Sequence, residues 1–221
     1  MIRKRVGILI SGRGSNMKSL VDAARDPGFP GEIAIVISNR PDAPGLAWAA
    51  GEGIATQSID HQAFPSREDF EAALQAALTS ARVDLVCCAG FMRMLTPGFV
   101  SVWHGHMLNI HPSLLPAFKG LHPQEQALAA GVRIAGCSVH FVVPEVDSGP
   151  IVAQAAVPVA NEDTPDRLAE RILRAEHALY PMALRLVASG AARLTGGRVV
   201  IDRPTGDAVL FSPAPEPPRS G

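Results

Sequence analysis

Cysteine is scarce, with three in 221 residues, and Cys87, Cys88 and Cys137 all stand in apolar stretches. An odd number in such surroundings argues against a disulfide framework or a metal cage and for reduced thiols packed in a core. Charge imbalance is equally slight. Twenty basic residues against 21 acidic ones leave a net charge of -1, with Lys and Arg spread thinly, so no extended nucleic-acid or anionic-membrane surface is expected and the substrate should be small. Long hydrophobic runs are missing as well. The runs at 6–10 and 85–89 are strand-sized, far below the ~20 residues of a membrane span. Residues 1–5 lead into the first run without the apolar stretch of a signal peptide, so a cytoplasmic location is expected. No G-x-S-x-G elbow occurs, the P-loop Lys is absent, and His104 and His106 lack a carboxylate or thiolate at metal-ligand spacing, so no metal is expected.

What is present is an apolar content of 47%, enough to bury one sizeable core. Short runs at 6–10, 33–37, 54–59, 84–89 and 107–110 read as strands, and their nearly continuous hydrophobicity implies cover on both faces. Helical segments alternate with them. Ser66, Arg67, Glu68 and Asp69 resemble a capping box with Asp in place of Glu, opening a helix whose Phe70, Leu74 and Ala77 or Leu78 keep a 3.6-residue stripe. Strand, helix, strand repeated predicts an α/β fold of three layers, a mostly parallel twisted sheet with helices on both faces. Residues 137–143 and 151–159 read as a further strand pair. Thr164 and Pro165 mark the cap and first residue of a long helix with Leu168, Ile172, Ala175 and Leu179 on its buried stripe. Pro181 should kink or end that helix near Tyr180. Residues 199–201 and 208–211 suggest a C-terminal hairpin. One domain is expected over 1–211, followed by a Pro-rich, disordered tail at 212–221.

Ser11, Gly12, Arg13, Gly14, Ser15 and Asn16 follow the first strand and precede a helical stretch, an arrangement that lets backbone approach an anion at a helix start. It is a poor dinucleotide fingerprint, because Met17 stands where the third glycine belongs and Asn39 and Arg40 end the second strand without a ribose-binding acid. The same pattern also serves a tight turn that binds nothing. Ser15 and Asn16, small and polar, favour the anion.

The densest chemistry lies between 109 and 150. Asn109 can donate two N–H bonds and cannot ionise, which suits a developing oxyanion. His111, two residues on, shares its strand face, and Pro112 fixes its direction, making it a general-acid candidate. Asp147, in a turn before Gly149 and Pro150, would favour the imidazolium if it lay near His111, or would serve the turn alone. His122 and His140 compete for the acid's role and rank below His111, His122 as a helix cap and His140 as a residue facing into a strand pair.

Together, residues 11–16, 89–93, 109–116, Gly120, Leu121, His122, Ser138, Val139, His140 and 147–154 resemble the phosphoribosylglycinamide formyltransferase family, over about residues 5–190. The resemblance implies a Rossmann-like formyltransferase fold and transfer of a formyl group from the co-substrate 10-formyltetrahydrofolate to the amine of glycinamide ribonucleotide, in de novo purine synthesis. It implies Asn109, His111 and Asp147 as the catalytic trio. Gly14, Ser15, Asn16 and Glu176 would hold the ribonucleotide, and Arg67, Met92, Arg93, Met94, Leu95, Asn109 and Val143 the folate. The implied partners are these two small molecules, with no nucleic acid, no membrane and a homodimer left open.

Two alternatives stand beside this. A 10-formyltetrahydrofolate hydrolase would use the same trio and give the formyl group to water, but its family carries an added N-terminal regulatory domain, which a strand beginning at Val6 leaves no room for. A non-catalytic nucleotide-binding domain would need the glycine loop alone.

Overall fold

The computed structural model describes residues 3–202 and Ser212. Seven strands form one sheet: β1 (Lys4–Ile10), β2 (Gly31–Ser38), β3 (Thr56–Ser58), β4 (Leu85–Cys88), β5 (Met107–His111), β6 (Ile134–Phe141) and β7 (Ile151–Pro158). Their order is β3-β2-β1-β4-β5-β6-β7. Pairing is parallel from β3 through β5, and β6 runs antiparallel to both β5 and β7. The helices are α1 (Ser15–Ala24), α2 (Pro44–Gly51), α3 (Arg67–Ser80), α4 (Pro97–Val102), α5 (Pro123–Ala129) and α6 (Pro165–Ala188).

Alternation along the strands feeds two cores. Ile8, Ile10, Val36, Cys87, Leu108 and Ile110 pack with α1 and α6, while Leu9, Ile37, Val86, Cys88 and Met107 pack with α3 and α4. Both faces are covered, as continuous hydrophobicity requires. All three cysteines are buried and free, and burial pushes each thiol up to about 12.

The capping box at Ser66 forms. Its Oγ accepts from the Asp69 N–H at 3.0 Å and donates to Asp69 Oδ2 at 2.6 Å, so the shorter Asp reaches the cap hydroxyl rather than the cap amide. The expected break at Pro181 does not occur, and α6 continues through it to Ala188. Leu179 and Tyr180 before the proline and Ala183 and Leu184 after it are all buried. Burying two Leu side chains and a Tyr exceeds the ~3 kcal/mol that an interior proline costs. The strand expected at 54–59 shrinks to the three exposed residues of β3, a short edge strand. A C-terminal hairpin is present, formed by β8 (Ala192–Thr195) and β9 (Arg198–Ile201) across Gly196 and Gly197. Residues 208–211, its expected second strand, and the tail 213–221 lie outside the described residues. Among the described residues, no helix is long and apolar enough to cross a membrane.

Candidate active site

The switch in strand order at β1 leaves the loops after β1 and β4 side by side at the sheet's C-terminal edge, where ligands enter open α/β sheets. β5 adjoins β4, with Cys88 paired to Asn109. Two strand spacings, roughly 10 Å, therefore separate the glycine loop from Asn109.

Asn109 and His111 project from one face of β5, and antiparallel β6 sets His140 opposite Asn109 and Ser138 opposite His111. The turn at 142–150 then folds Asp147 back over this pair. Asp147 takes φ 49°, a left-handed conformation that Asp tolerates better than most side chains. Its Oδ2 is 3.3 Å from Nδ1 of His111 and accepts from the Gly120 N–H at 2.9 Å; its Oδ1 is 3.7 Å from Nε2 of His140. The Asp147 and His111 side chains are 9% and 8% exposed, so little water screens the pair. Burial pushes the Asp147 carboxyl up, yet the His140 side chain, the Gly120 N–H and the charge of His111 outweigh it and hold the carboxyl below its ordinary value.

The other nitrogen of His111, Nε2, lies 2.9 Å from the Phe118 carbonyl oxygen. A carbonyl only accepts, so Nε2 carries hydrogen, and Nδ1 faces a carboxylate. Each ring nitrogen thus has an oxygen acceptor, the hydrogen-bonding pattern of an imidazolium. Phe118 holds its carbonyl there with φ 54°.

His140 stands closer to this chemistry than a residue buried between paired strands would. Its Nδ1 faces the Phe141 carbonyl at 2.9 Å and its Nε2 is 3.3 Å from Asn109 Nδ2. That contact orients the Asn109 amide and leaves its second N–H uncommitted among the described residues. Sequence marks 107–110 and 137–143 as strands and pairs the latter with 151–159; the pairing of β5 with β6 that sets His140 against Asn109 is shown only by the structure. His122, by contrast, is exposed at the start of α5, its ring 3.3 Å from Glu125.

Around the glycine loop, Gly14 caps α1 with φ 68° and no side chain bonds the first turn, which also lacks an acidic residue. The helix's positive end is therefore open. Asn16 is buried; its Nδ2 donates to Glu176 Oε2 at 2.7 Å while its Oδ1 is buried with no partner. Glu176 sits in the middle of α6 and is itself buried. One turn later Tyr180 donates to the carbonyls of Cys88 (3.0 Å) and Leu108 (3.2 Å), seating α6 over β4 and β5.

After β4, Met92 and Met94 are 72% and 61% exposed, large apolar side chains left in water. Arg93 is exposed and Leu95 half-buried. Glu71 of α3 accepts from both the N–H (2.7 Å) and the hydroxyl of Thr96, anchoring the end of this run. Arg67 lies four residues before Glu71, on the same helix face and exposed. Val143 is half-buried in the turn that carries Asp147.

A cavity of about 800 Å³ runs from Ser11, Gly14, Ser15 and Asn16 to Met92 and Arg93. Asn109, His111 and Asp147 do not line it; they stand one strand beyond its edge at Ala89. The sequence-derived residues therefore form two adjoining groups, an anion-ready loop with its cavity and an imidazole-carboxylate pair beside an amide. Among the described residues, no group of three His, Cys, Asp or Glu side chains is arranged to hold a metal ion.

This constellation on a sheet of this order belongs to one-carbon group transfer: the chain is a member of the formyl transferase family, whose model matches residues 4–184. It is 44% identical to the phosphoribosylglycinamide formyltransferase of Escherichia coli (strain K12) over 187 residues, covering 85% of this chain and 88% of that protein. It is 50% identical to the trifunctional purine biosynthetic protein adenosine-3 of Bos taurus over 198 residues, 89% of this chain and 20% of that protein. The chain thus spans about a fifth of the length of the trifunctional relative. Among solved structures it is similar to glycinamide ribonucleotide transformylase 1 from Symbiobacterium toebii, with a TM-score of 0.87 and 49% identity, covering 90% of this chain and 94% of that one.

Proposed function

We propose that this chain transfers the formyl group of 10-formyltetrahydrofolate to the amine of glycinamide ribonucleotide, giving formylglycinamide ribonucleotide and tetrahydrofolate. The observation that carries this reading is the meeting of Asp147 with Nδ1 of His111 at 3.3 Å, beside an Asn109 amide with an N–H to spare. The amine nitrogen attacks the formyl carbon, and negative charge collects on the formyl oxygen. Asn109 and the His111 imidazolium donate to that oxygen, and they bind it more strongly as charge develops. Because both ring N–H groups of His111 already have protein acceptors, its engagement requires exchange of the Phe118 or Asp147 contact for one with substrate. Collapse breaks the bond from carbon to N10, and the proton lost by the amine ends on N10.

Gly14, Ser15 and the open first turn of α1 bind the ribonucleotide's phosphate. The unpartnered Oδ1 of Asn16 and the Glu176 carboxyl take hydroxyl or amine donors of the same substrate. Met92, Met94, Leu95 and Val143 cover the folate's ring system, and Arg67 and Arg93 meet its carboxylates. Holding both substrates at neighbouring strand ends supplies the entropic part of the rate. The enzyme is cytoplasmic on this reading, and purine synthesis is its setting.

The test follows tetrahydrofolate release from 10-formyltetrahydrofolate with and without glycinamide ribonucleotide. Release that requires the ribonucleotide is expected. Release at the same rate without it would make the protein a hydrolase, and no release at all would refute the assignment.

A further inference from the structure

Three loops meet at one hydroxyl. Ser11, the residue after β1, is 8% exposed; its N–H donates to the Gly90 carbonyl at 3.1 Å, and its Oγ accepts from the Met92 N–H at 2.7 Å. The same hydroxyl donates to Asn39 Oδ1 at 2.5 Å. Asn39, which follows β2, is 3% exposed, and its own carbonyl and amide lie 2.9 and 3.2 Å from Nδ1 of His61. Glycine or alanine would serve the backbone turn at position 11 equally well. Only a side chain that donates and accepts at once can hold Met92 and Asn39 together in so little space.

We propose that Ser11 is a positioning residue that couples the two substrate sites, fixing the folate-side run at Met92 to the phosphate loop so that filling one site orders the other. This rests on the assignment of Gly14, Ser15 and Asn16 to the ribonucleotide and of Met92 to the folate. The loop after β1 and the loop after β4 share no other side-chain hydrogen bond among the described residues. Removing the hydroxyl takes the protein acceptor from the Met92 N–H and leaves Oδ1 of the buried Asn39 without a partner, where an unmade bond is costly. The run from Met92 onward is then tied to the phosphate loop only through the backbone bond from the Ser11 N–H to the Gly90 carbonyl.

Coupling between ligands is reciprocal and is read as a ratio of dissociation constants. The wild-type protein is expected to bind tetrahydrofolate at least fivefold more tightly when saturated with glycinamide ribonucleotide than without it, by titration calorimetry. Ser11→Ala should bring that ratio close to one. It should also raise the KM for 10-formyltetrahydrofolate about tenfold, with a smaller fall in kcat and little change in the KM for the ribonucleotide. Ser11→Thr, which keeps the hydroxyl, should restore both. A wild-type ratio of one would overturn the proposal, as would a Ser11→Ala variant that keeps the wild-type ratio or loses kcat alone. Should Ser11→Ala not fold, Ser11→Cys, similar in size with far weaker hydrogen bonding, carries the same expectation. Hydrogen exchange at the Met92 amide, followed without ligands, should speed up at least tenfold in Ser11→Ala. If the wild-type protein fails to turn over the substrate pair, the proposed function falls, and this exchange rate still decides whether Ser11 holds the loop.

Discussion

Asn16 donates to Glu176 at 2.7 Å across 160 residues of sequence, joining the first turn of α1 to the middle of α6. Burial pushes the Glu176 carboxyl up, and the Asn16 amide offsets part of that rise. A carboxyl whose pKa is higher folded than unfolded binds its proton more readily in the folded protein. Its ionisation therefore lowers stability as pH rises from the unfolded value through the folded one. Glu176→Gln keeps an acceptor for Asn16 and removes that charge. It should raise the melting temperature at pH 7 by roughly 2–4 °C, as ~1 kcal/mol does in a chain of this size, and the gain should vanish near pH 4. Turnover should fall through a higher KM for the ribonucleotide. Melting curves across pH, with the variant no more stable than wild type at pH 7, would contradict the assignment of a buried, charged Glu176.

His111→Ala removes both a donor to the formyl oxygen and the partner of Asp147. Turnover should drop by roughly a hundredfold or more, the usual consequence of losing a general acid, while folate binding persists. Steady-state kinetics paired with folate titration separate the two effects. A variant that turns over like wild type would remove His111 from the chemistry.

The sheet and much of the site are legible in the sequence because strand hydrophobicity and i, i+2 spacing are local. Asn109 and His111 share a face by that spacing alone, and Phe70, Leu74 and Leu78 mark α3 by theirs. What sequence hides is non-local. His140 reaches Asn109 only through the antiparallel register of β5 and β6, and Glu176 reads as a solvated charge until α6 is laid over α1. Pro181 misleads for the same reason, since the packing that carries α6 through it comes from residues on distant strands. A C-terminal hairpin and its strand at 199–201 are legible, but the partner is not: 199–201 pair back onto 192–195, because Gly196 and Gly197 supply the two positive-φ positions of a tight turn.

Asp147 carries a pH signature. Its carboxyl is held below the ordinary value, because the His140 side chain, the Gly120 N–H and the charge of His111 outweigh burial. A depressed pKa in the folded state gives stability that is present above the unfolded value, near 3.9, and is lost as pH falls through the folded one. Asp147→Asn keeps a residue type that accepts the local φ of 49° but loses the charge. The variant should be less stable than wild type at pH 7, and the difference should shrink steadily below pH 4 in denaturant titrations. A difference that is the same at pH 3 and pH 7 would mean that the interaction is not electrostatic.

Gly149 closes the turn that carries Asp147, and its conformation leaves no room for a side chain. A Cβ there would sit 1.7 Å from the carbonyl oxygen of Phe141 and 3.2 Å from Nδ1 of His140. The first obstacle is backbone, held in the sheet by the Phe141 N–H bond to the Pro150 carbonyl at 2.9 Å, so it cannot swing aside as a side chain could. Gly149→Ala must therefore part β6 from the turn and move Asp147 away from His111. The expected cost is more than about 2 kcal/mol, at the severe end for a small-to-large change, with loss of turnover. Gly51→Ala provides the control. It lies at the end of α2 with nothing within 4 Å of an added Cβ, and there alanine should be neutral or stabilise by up to ~1 kcal/mol. Equal stability of the two variants in urea would show that the turn at 147–149 is not seated against β6.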